Sequence, residues 1–339
     1  MNAPRAFLAA LLLSAAAAPA LAQPAPAGRA LNLSAEERSA LTALQLAASG
    51  TDRAAQDAAL RTAQAAARGA DGRYAVASLH YQIARSRGDA RTMSETADAM
   101  IASGIPQGAE LAALLANQVS RAYSANDLRR ADALLGRMIE AQPNNAVILA
   151  DAAQFKARMG DRPAAVALFQ RAIAAQRAGG QAAPESWHQR ALAIAVDGRL
   201  GPQSVTLGRE LVAAYPTPGN WRDALFTLRP AAAAPPAPAA PSADPGLDLD
   251  IRRLARASQA LAGERDYLDY AAIATRATAP AEAKAVLDEG VSRGMLDANE
   301  PVVRQQLTAI TPRAAAERAG LAAARTRARA AAEIGRAHV

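Results

Sequence analysis

Residues 146–184 read AVILADAAQFKARMGDRPAAVALFQRAIAAQRAGGQAAP. Apolar residues recur at three- and four-residue spacing on both sides of Gly160-Asp161, the pattern of two amphipathic helices joined by a tight turn. After the turn, Ala165, Phe169 and Ala172 are spaced four and three apart and share one helical face. Two helices approach closely only where side chains are small, so Ala165 is expected at a helix crossing. The large Phe169 is expected to fill the gap between neighbouring units.

Similar turn signals lie upstream, at Gly88-Asp89 and Asn126-Asp127, and the three pairs are 38 and 34 residues apart. A period near 34 with two helices per unit is the signature of a solenoid. No run of alternating β-branched residues occurs, so the chain is expected to be all-α.

Ala165-x3-Phe169-x2-Ala172 after Gly160-Asp161, with Ala153 in the preceding helix, resembles the tetratricopeptide repeat. Ala131 and Leu135, followed by Pro143, repeat the pattern one unit earlier, and Tyr81 and Met93 mark a weaker unit before that. Trp187 and Ala191 resemble the start of another first helix, whose second helix, Gln203 to Tyr215, is out of register. Tyr267, Ala271, Ala283, Leu287 and Gly290 repeat the pattern near the C-terminus. The resemblance implies an all-α, right-handed solenoid of helical hairpins over 32–228, with a degenerate hairpin inside 247–312.

The flanking segments read differently. Arg5, the apolar run from Ala6 to Ala18, and Ala20-Leu21-Ala22 form a secretory signal over 1–22, cleaved after Ala22. The run is shorter than the ~20 residues that a spanning helix needs, and no later stretch is long and apolar enough to span a bilayer. Residues 23–31 are expected to be disordered. Residues 229–246, rich in proline and alanine, read as a semi-rigid spacer. Beyond it, Leu247, Ile251, Leu254 and Leu261 are expected on or near one face of a helix. Residues 313–332 read as a basic helix carrying Arg318, Arg325, Arg327 and Arg329. Glu333 to Val339, EIGRAHV, resembles a translated short-read sequencing adapter. That resemblance implies that the natural chain continues beyond Ala332 and that His338 has no role.

Composition narrows the chemistry. Of 339 residues, 51% are apolar and 4% aromatic, so a core of Ala, Leu, Val and Ile is expected. Without cysteine there are no disulfides, thiolate metal sites or cysteine nucleophile. The formal net charge is +7, and all the basic residues except Lys156 and Lys284 are arginines, spread along the chain among acids. A nucleic-acid binder concentrates its basic residues in a stripe, so nucleic acid is not expected as a partner. His80 and His188 have no metal-ligand spacing to another candidate. No nucleophile elbow, phosphate loop or dinucleotide fingerprint occurs. No catalytic residue, cofactor or metal is expected.

Tetratricopeptide arrays usually act as scaffolds whose first helices line a peptide-binding groove. Carrying the family's inward positions over gives Ser78, Gln82 and Arg85, then Ser120 and Tyr123, then Gln154 and Arg158, and His188 in the Trp187 unit. The lysine and asparagines of the family's carboxylate clamp are not reproduced. The sequence thus reads as an exported, non-catalytic scaffold, periplasmic or secreted, for a protein or peptide of the cell envelope. The alternative is the helical part of a cell-wall enzyme whose catalytic part lies beyond the C-terminus.

Overall fold

The computed structural model describes residues 30–228 and 245–337. The expected signal over 1–22, residues 23–29 of the expected leader, residues 229–244 of the spacer, and 338–339 lie outside the described residues. The described residues form fifteen helices and no strand. They divide into two compact units at Ile148–Leu149.

The first unit holds α1 (Ala35–Ser49), α2 (Arg53–Ala66), α3 (Ala70–Arg87), α4 (Ala90–Ala102), α5 (Gly108–Ser124), α6 (Leu128–Ala141) and the start of α7 (Ala146–Arg158). The second holds the rest of α7, then α8 (Arg162–Ala178), α9 (Glu185–Asp197), α10 (Gly201–Ala214) and α11 (Pro218–Phe226). After the segment 229–244 it continues with α12 (Pro245–Ala257), α13 (Glu264–Arg276), α14 (Pro280–Ser292) and α15 (Pro301–Ala337). Helices pack as successive hairpins: α1 with α2, α3 with α4, α5 with α6, α9 with α10, and α13 with α14.

The turns explain the hairpins. Gly88, Asn126 and Gly160 all adopt left-handed backbone, with φ of 68°, 57° and 83°. At the first, Gly88 N–H donates to the Arg85 carbonyl at 3.2 Å and Asp89 N–H to the Ala84 carbonyl at 2.9 Å. Those are the two bonds of a Schellman motif, which satisfies carbonyls that a helix end leaves orphaned. The aspartate that follows then caps the next helix: the carboxylates of Asp89, Asp127 and Asp161 accept from the backbone N–H of Thr92, Arg130 and Ala164. The same reversal occurs at Arg199 and Thr278, with φ of 54° and 57°, although neither residue is a glycine or an asparagine.

The left-handed residue sets the origin of each second helix. Positions five, eight, nine and twelve residues beyond it face the core. In α8 these are Ala165, Leu168, Phe169 and Ala172, in α10 Ser204, Leu207, Gly208 and Leu211, and in α14 Ala283, Val286, Leu287 and Gly290, all buried. In α6 the first three are buried, and in α4 the last three. The expectation that the helix after Trp187 falls out of register is therefore corrected. Counted from Arg199, α10 keeps the register and changes the side chains, placing glycine where α8 has Phe169 and leucine where α8 has Ala172.

Three further expectations change. Of the stripe of Leu247, Ile251, Leu254 and Leu261, Ile251 and Leu261 are buried while Leu247 and Leu254 are exposed. Leu249, Arg252 and Ala255 turn inward with Ile251, in a helix that begins at Pro245 and ends at Ala257, two residues before left-handed Gln259. The spacer does not separate the packed helices on its two sides: Leu225 of α11 shares a core with Leu249, Ile251 and Tyr267, and Arg222 pairs with Asp266 at 2.6 Å. The basic helix expected over 313–332 is the second half of the continuous α15, which runs through Pro312. The ring removes one hydrogen bond, to the carbonyl of Thr308, on a side of the helix that water reaches.

Carboxylates cap helices from a distance at two places. Glu37 accepts from Ser34 N–H at 2.8 Å, Arg68 N–H at 3.1 Å and Gly69 N–H at 3.3 Å, joining α1 to the start of α3. The backbone N–H groups of Ser34 and Gly69, with the Ser34 hydroxyl, hold its carboxyl down to about 2. Gly72 leaves the space this carboxylate occupies. In the second unit, α14 has Ala279 at its N-cap and no capping side chain of its own; Glu317 of α15 accepts from Ala281 N–H at 2.7 Å.

Candidate functional site

The first helices of the hairpins carry the expected groove residues. On α3, Gln82 and Arg85 are exposed and Ser78 is half-buried; spacings of four and three place them on one face. On α5, Ser120 and Tyr123 are half-buried, one turn apart. Tyr74 of α3 donates its phenol to Glu110 of α5, and Tyr74, Ala77 and Tyr81 pack against the core of Ala97, Met100 and Leu114. Burial, then Glu110, pushes the Tyr74 phenol well above its ordinary range.

In the second unit the first helices are joined by polar side chains. Arg190 of α9 donates to Gln154 of α7 at 2.6 Å. Asn220 of α11, itself buried, donates to Glu185 of α9 at 2.7 Å and to the Tyr215 carbonyl at 2.8 Å, and accepts from Gln189 at 3.0 Å. Asp266 of α13 then receives Arg222 of α11 and the backbone N–H of Ala262. Gln154 is thus half-buried and engaged, while Arg158, one turn further along α7, is exposed.

His188 is corrected. It is only 1% exposed and forms a buried stripe with Ala191, Leu192 and Ala195, so it faces the core and not a groove. Its ring meets Tyr215 edge-on at 5.9 Å, and its Nδ1 has no hydrogen-bond partner among the described residues. Burial, and next the charge of Arg177, lower its pKa, so the ring sits neutral. Arg190, two residues on, is the exposed side chain of α9 that reaches α7. Trp187 and Ala191 alone do not single it out; the core stripe of α9 runs through Ala191 and Ala195.

A second feature, not foreseen from the sequence, is a polar cleft of about 430 Å³ between α12, α13 and α14. Arg253 grips Glu282 with Nε and Nη2, at 2.9 and 2.7 Å, and reaches Asp250 with Nη1 at 3.2 Å. Tyr270 donates to Glu282 at 2.7 Å. Arg256 Nε lies 2.6 Å from one oxygen of Glu289, and Arg293 Nε 3.2 Å from the other. The Arg253 hydrogen bond holds Glu282 ionised, below its usual range, while burial and then Glu282 push the Tyr270 phenol up. Asp250–Arg253 and Glu289–Arg293 are pairs three and four residues apart, but Arg253–Glu282 and Arg256–Glu289 join different helices, and no local motif announces those. Among the described residues, no three metal-binding side chains converge and no helix is long and apolar enough to cross a membrane.

No protein-family model matches the chain, and no curated protein matches it. Among solved structures, a tetratricopeptide repeat protein from Parabacteroides merdae is similar over 81% of this chain and 99% of its own, with 11% sequence identity and a TM-score of 0.36.

Proposed function

We propose that this chain is a tetratricopeptide-like scaffold that binds a protein or peptide of the bacterial cell envelope. The observation that carries the reading is the repeated hairpin with a fixed core register, which leaves polar side chains of first helices at the surface of each unit: Gln82 and Arg85 on α3 in the first, Arg158 on α7 and Arg190 on α9 in the second. Solenoids of this kind recognise partners through such rows of side chains. Ser78 on α3 with Ser120 and Tyr123 on α5 complete the proposed surface of the first unit, and Gln154 on α7 that of the second. Arg5, the apolar run after it and Ala20-Leu21-Ala22 support export, with the mature chain beginning at Gln23.

Capture of a partner from envelope extract by the intact protein tests the role, with the affinity then measured on purified components. Arg85→Ala with Arg158→Ala should weaken that affinity while helicity and melting stay unchanged. Unchanged affinity in the double variant and in a further Tyr123→Ala variant overturns the groove assignment. Mass spectrometry of the cell fractions tests export; an unprocessed chain in the cytoplasm refutes it.

A further inference from the structure

We infer that the cleft between α12, α13 and α14 is a binding site for a carboxylate presented by an acidic peptide, held by Arg256 and Arg293. This goes beyond the scaffold reading and does not depend on the first-helix surfaces of α3, α5, α7 and α9.

The argument begins with what is already spent. Arg253 uses three of its nitrogens on Glu282 and Asp250, two carboxylates for one guanidinium. Arg256 and Arg293 are in the opposite position, because they share the single carboxylate of Glu289, one on each oxygen, and each approaches it through Nε. Their other neighbours are phenols and not acids: Arg256 lies by Tyr270 and Arg293 by Tyr267. An arginine offers five N–H donors in a planar fork, and its best partner is a planar pair of oxygens. Two forks around one carboxylate therefore leave one positive charge and most of the donors uncommitted.

Depth separates the signs. The side chains of Glu282 and Glu289 are 20% and 19% exposed, whereas those of Arg253, Arg256 and Arg293 are 49%, 34% and 43% exposed. Around Glu289 the acid forms the floor and the two guanidiniums the rim, so a ligand approaching Arg256 and Arg293 meets positive charge first. At that end the excess is a single positive charge, which matches a carboxylate, whereas at the Arg253 end the exposed Asp250 makes up the balance. A phosphate dianion would bring a second negative charge close to Glu289 without a cation to meet it. The cleft is open at its mouth, so a carboxylate carried on a peptide reaches the rim without any helix moving.

Fluorescence anisotropy with the full chain tests this, using a labelled penta-glutamate peptide against a penta-glutamine control at low ionic strength. Wild type should bind the acidic peptide and not the control, with affinity falling as salt rises. Arg256→Gln with Arg293→Gln should weaken binding at least tenfold. Glu289→Gln removes the internal competitor and frees both guanidiniums, so it should tighten binding threefold or more. A purely structural role for these pairs predicts no tightening. If the arginine double variant does not fold, the sign of the Glu289→Gln effect decides. Equal binding of both peptides, no binding of either, unchanged affinity in a folded double variant, or no tightening in a folded Glu289→Gln variant each overturns the proposal.

Discussion

Gly290 stands near the end of α14, where the twelfth position after Thr278 faces the core. A Cβ placed there falls 2.7 Å from Leu296 Cδ1, 2.8 Å from Leu296 Cγ and 3.0 Å from Tyr267 Cγ. Tyr267 is fully buried and cannot yield, and Leu296 is held by the turn in which Met295 N–H bonds the Gly290 carbonyl at 2.8 Å. Two effects of Gly290→Ala oppose each other. Helix propensity favours alanine by ~1 kcal/mol. Overpacking costs ~1–3 kcal/mol. The net expectation is a loss between zero and ~2 kcal/mol, where an unobstructed helical site would show a gain of ~1 kcal/mol. Urea denaturation followed by circular dichroism reads the sign, and melting should fall by about 2–4 °C per kcal/mol for a unit of this size. Leu296→Ala removes the obstacle, so its cost should be smaller in the Gly290→Ala background than alone, by ~0.5–3 kcal/mol of coupling. A stabilised Gly290→Ala variant, with Leu296→Ala equally costly in both backgrounds, would refute the packing argument.

Ala165→Leu should cost ~1–3 kcal/mol by the same overpacking, read as a lower urea midpoint; a neutral result at this fully buried site would remove the case for a close crossing. At the turns, Gly160→Ala should destabilise by ~1–2 kcal/mol, because a Cβ is strained in left-handed backbone, and Arg199→Gly should raise the melting temperature. The Glu37 carboxyl lies below its ordinary 4.5, at about 2, so it stabilises the fold above pH 4.5 and that contribution is lost as pH falls through about 2. Glu37→Gln should flatten the acid limb of the stability curve between those values, and an unchanged limb would count against the α1–α3 cap. The buried His188 has a lowered pKa, so the unfolded chain takes up the proton first and stability falls as pH drops through and below 6.5. His188→Leu should remove that slope, which denaturation at pH 7.5 and 5.5 would measure.

Much of the hairpin architecture was legible because its turns are written in residues that favour left-handed backbone. Gly88, Asn126 and Gly160, each followed by aspartate, announce both the end of one helix and the cap of the next. Arg199, Gln259 and Thr278 take the same conformation without that signature, imposed by the helices that pack on either side; after Arg199 and Gln259 the expected pattern fails, whereas after Thr278 the expected Ala283, Leu287 and Gly290 do face the core. Leu247 and Leu254 look like a core stripe, yet the buried side of α12 includes Arg252, which lies 3.6 Å from both Asp266 and Asp269. Hydrophobic periodicity does not register a charge that is buried because partners await it. The groove residues share that difficulty. Gln82 and Arg85 fall on an exposed face as their spacing requires, whereas His188 belongs to the core stripe completed by Ala195, a residue as small and unremarkable as its neighbours. The arginine–glutamate cleft is assembled from three helices; its Arg253–Glu282 and Arg256–Glu289 pairs, 29 and 33 residues apart, have no expression in local sequence.

The left-handed turn residue has a consequence for how such a chain tolerates change. What it preserves is a count and not an identity: α10 carries Ser204, Gly208 and Leu211 at the places where α8 carries Ala165, Phe169 and Ala172. Each helical residue advances the direction of its side chain by about 100°. One residue inserted between Arg199 and Ser204 would therefore swing the entire inward row of α10 toward water, although every side chain in it survived. Substitutions at these positions are repairs that neighbours can accommodate one at a time; an insertion after the turn is a phase error, and no single compensating side chain restores it.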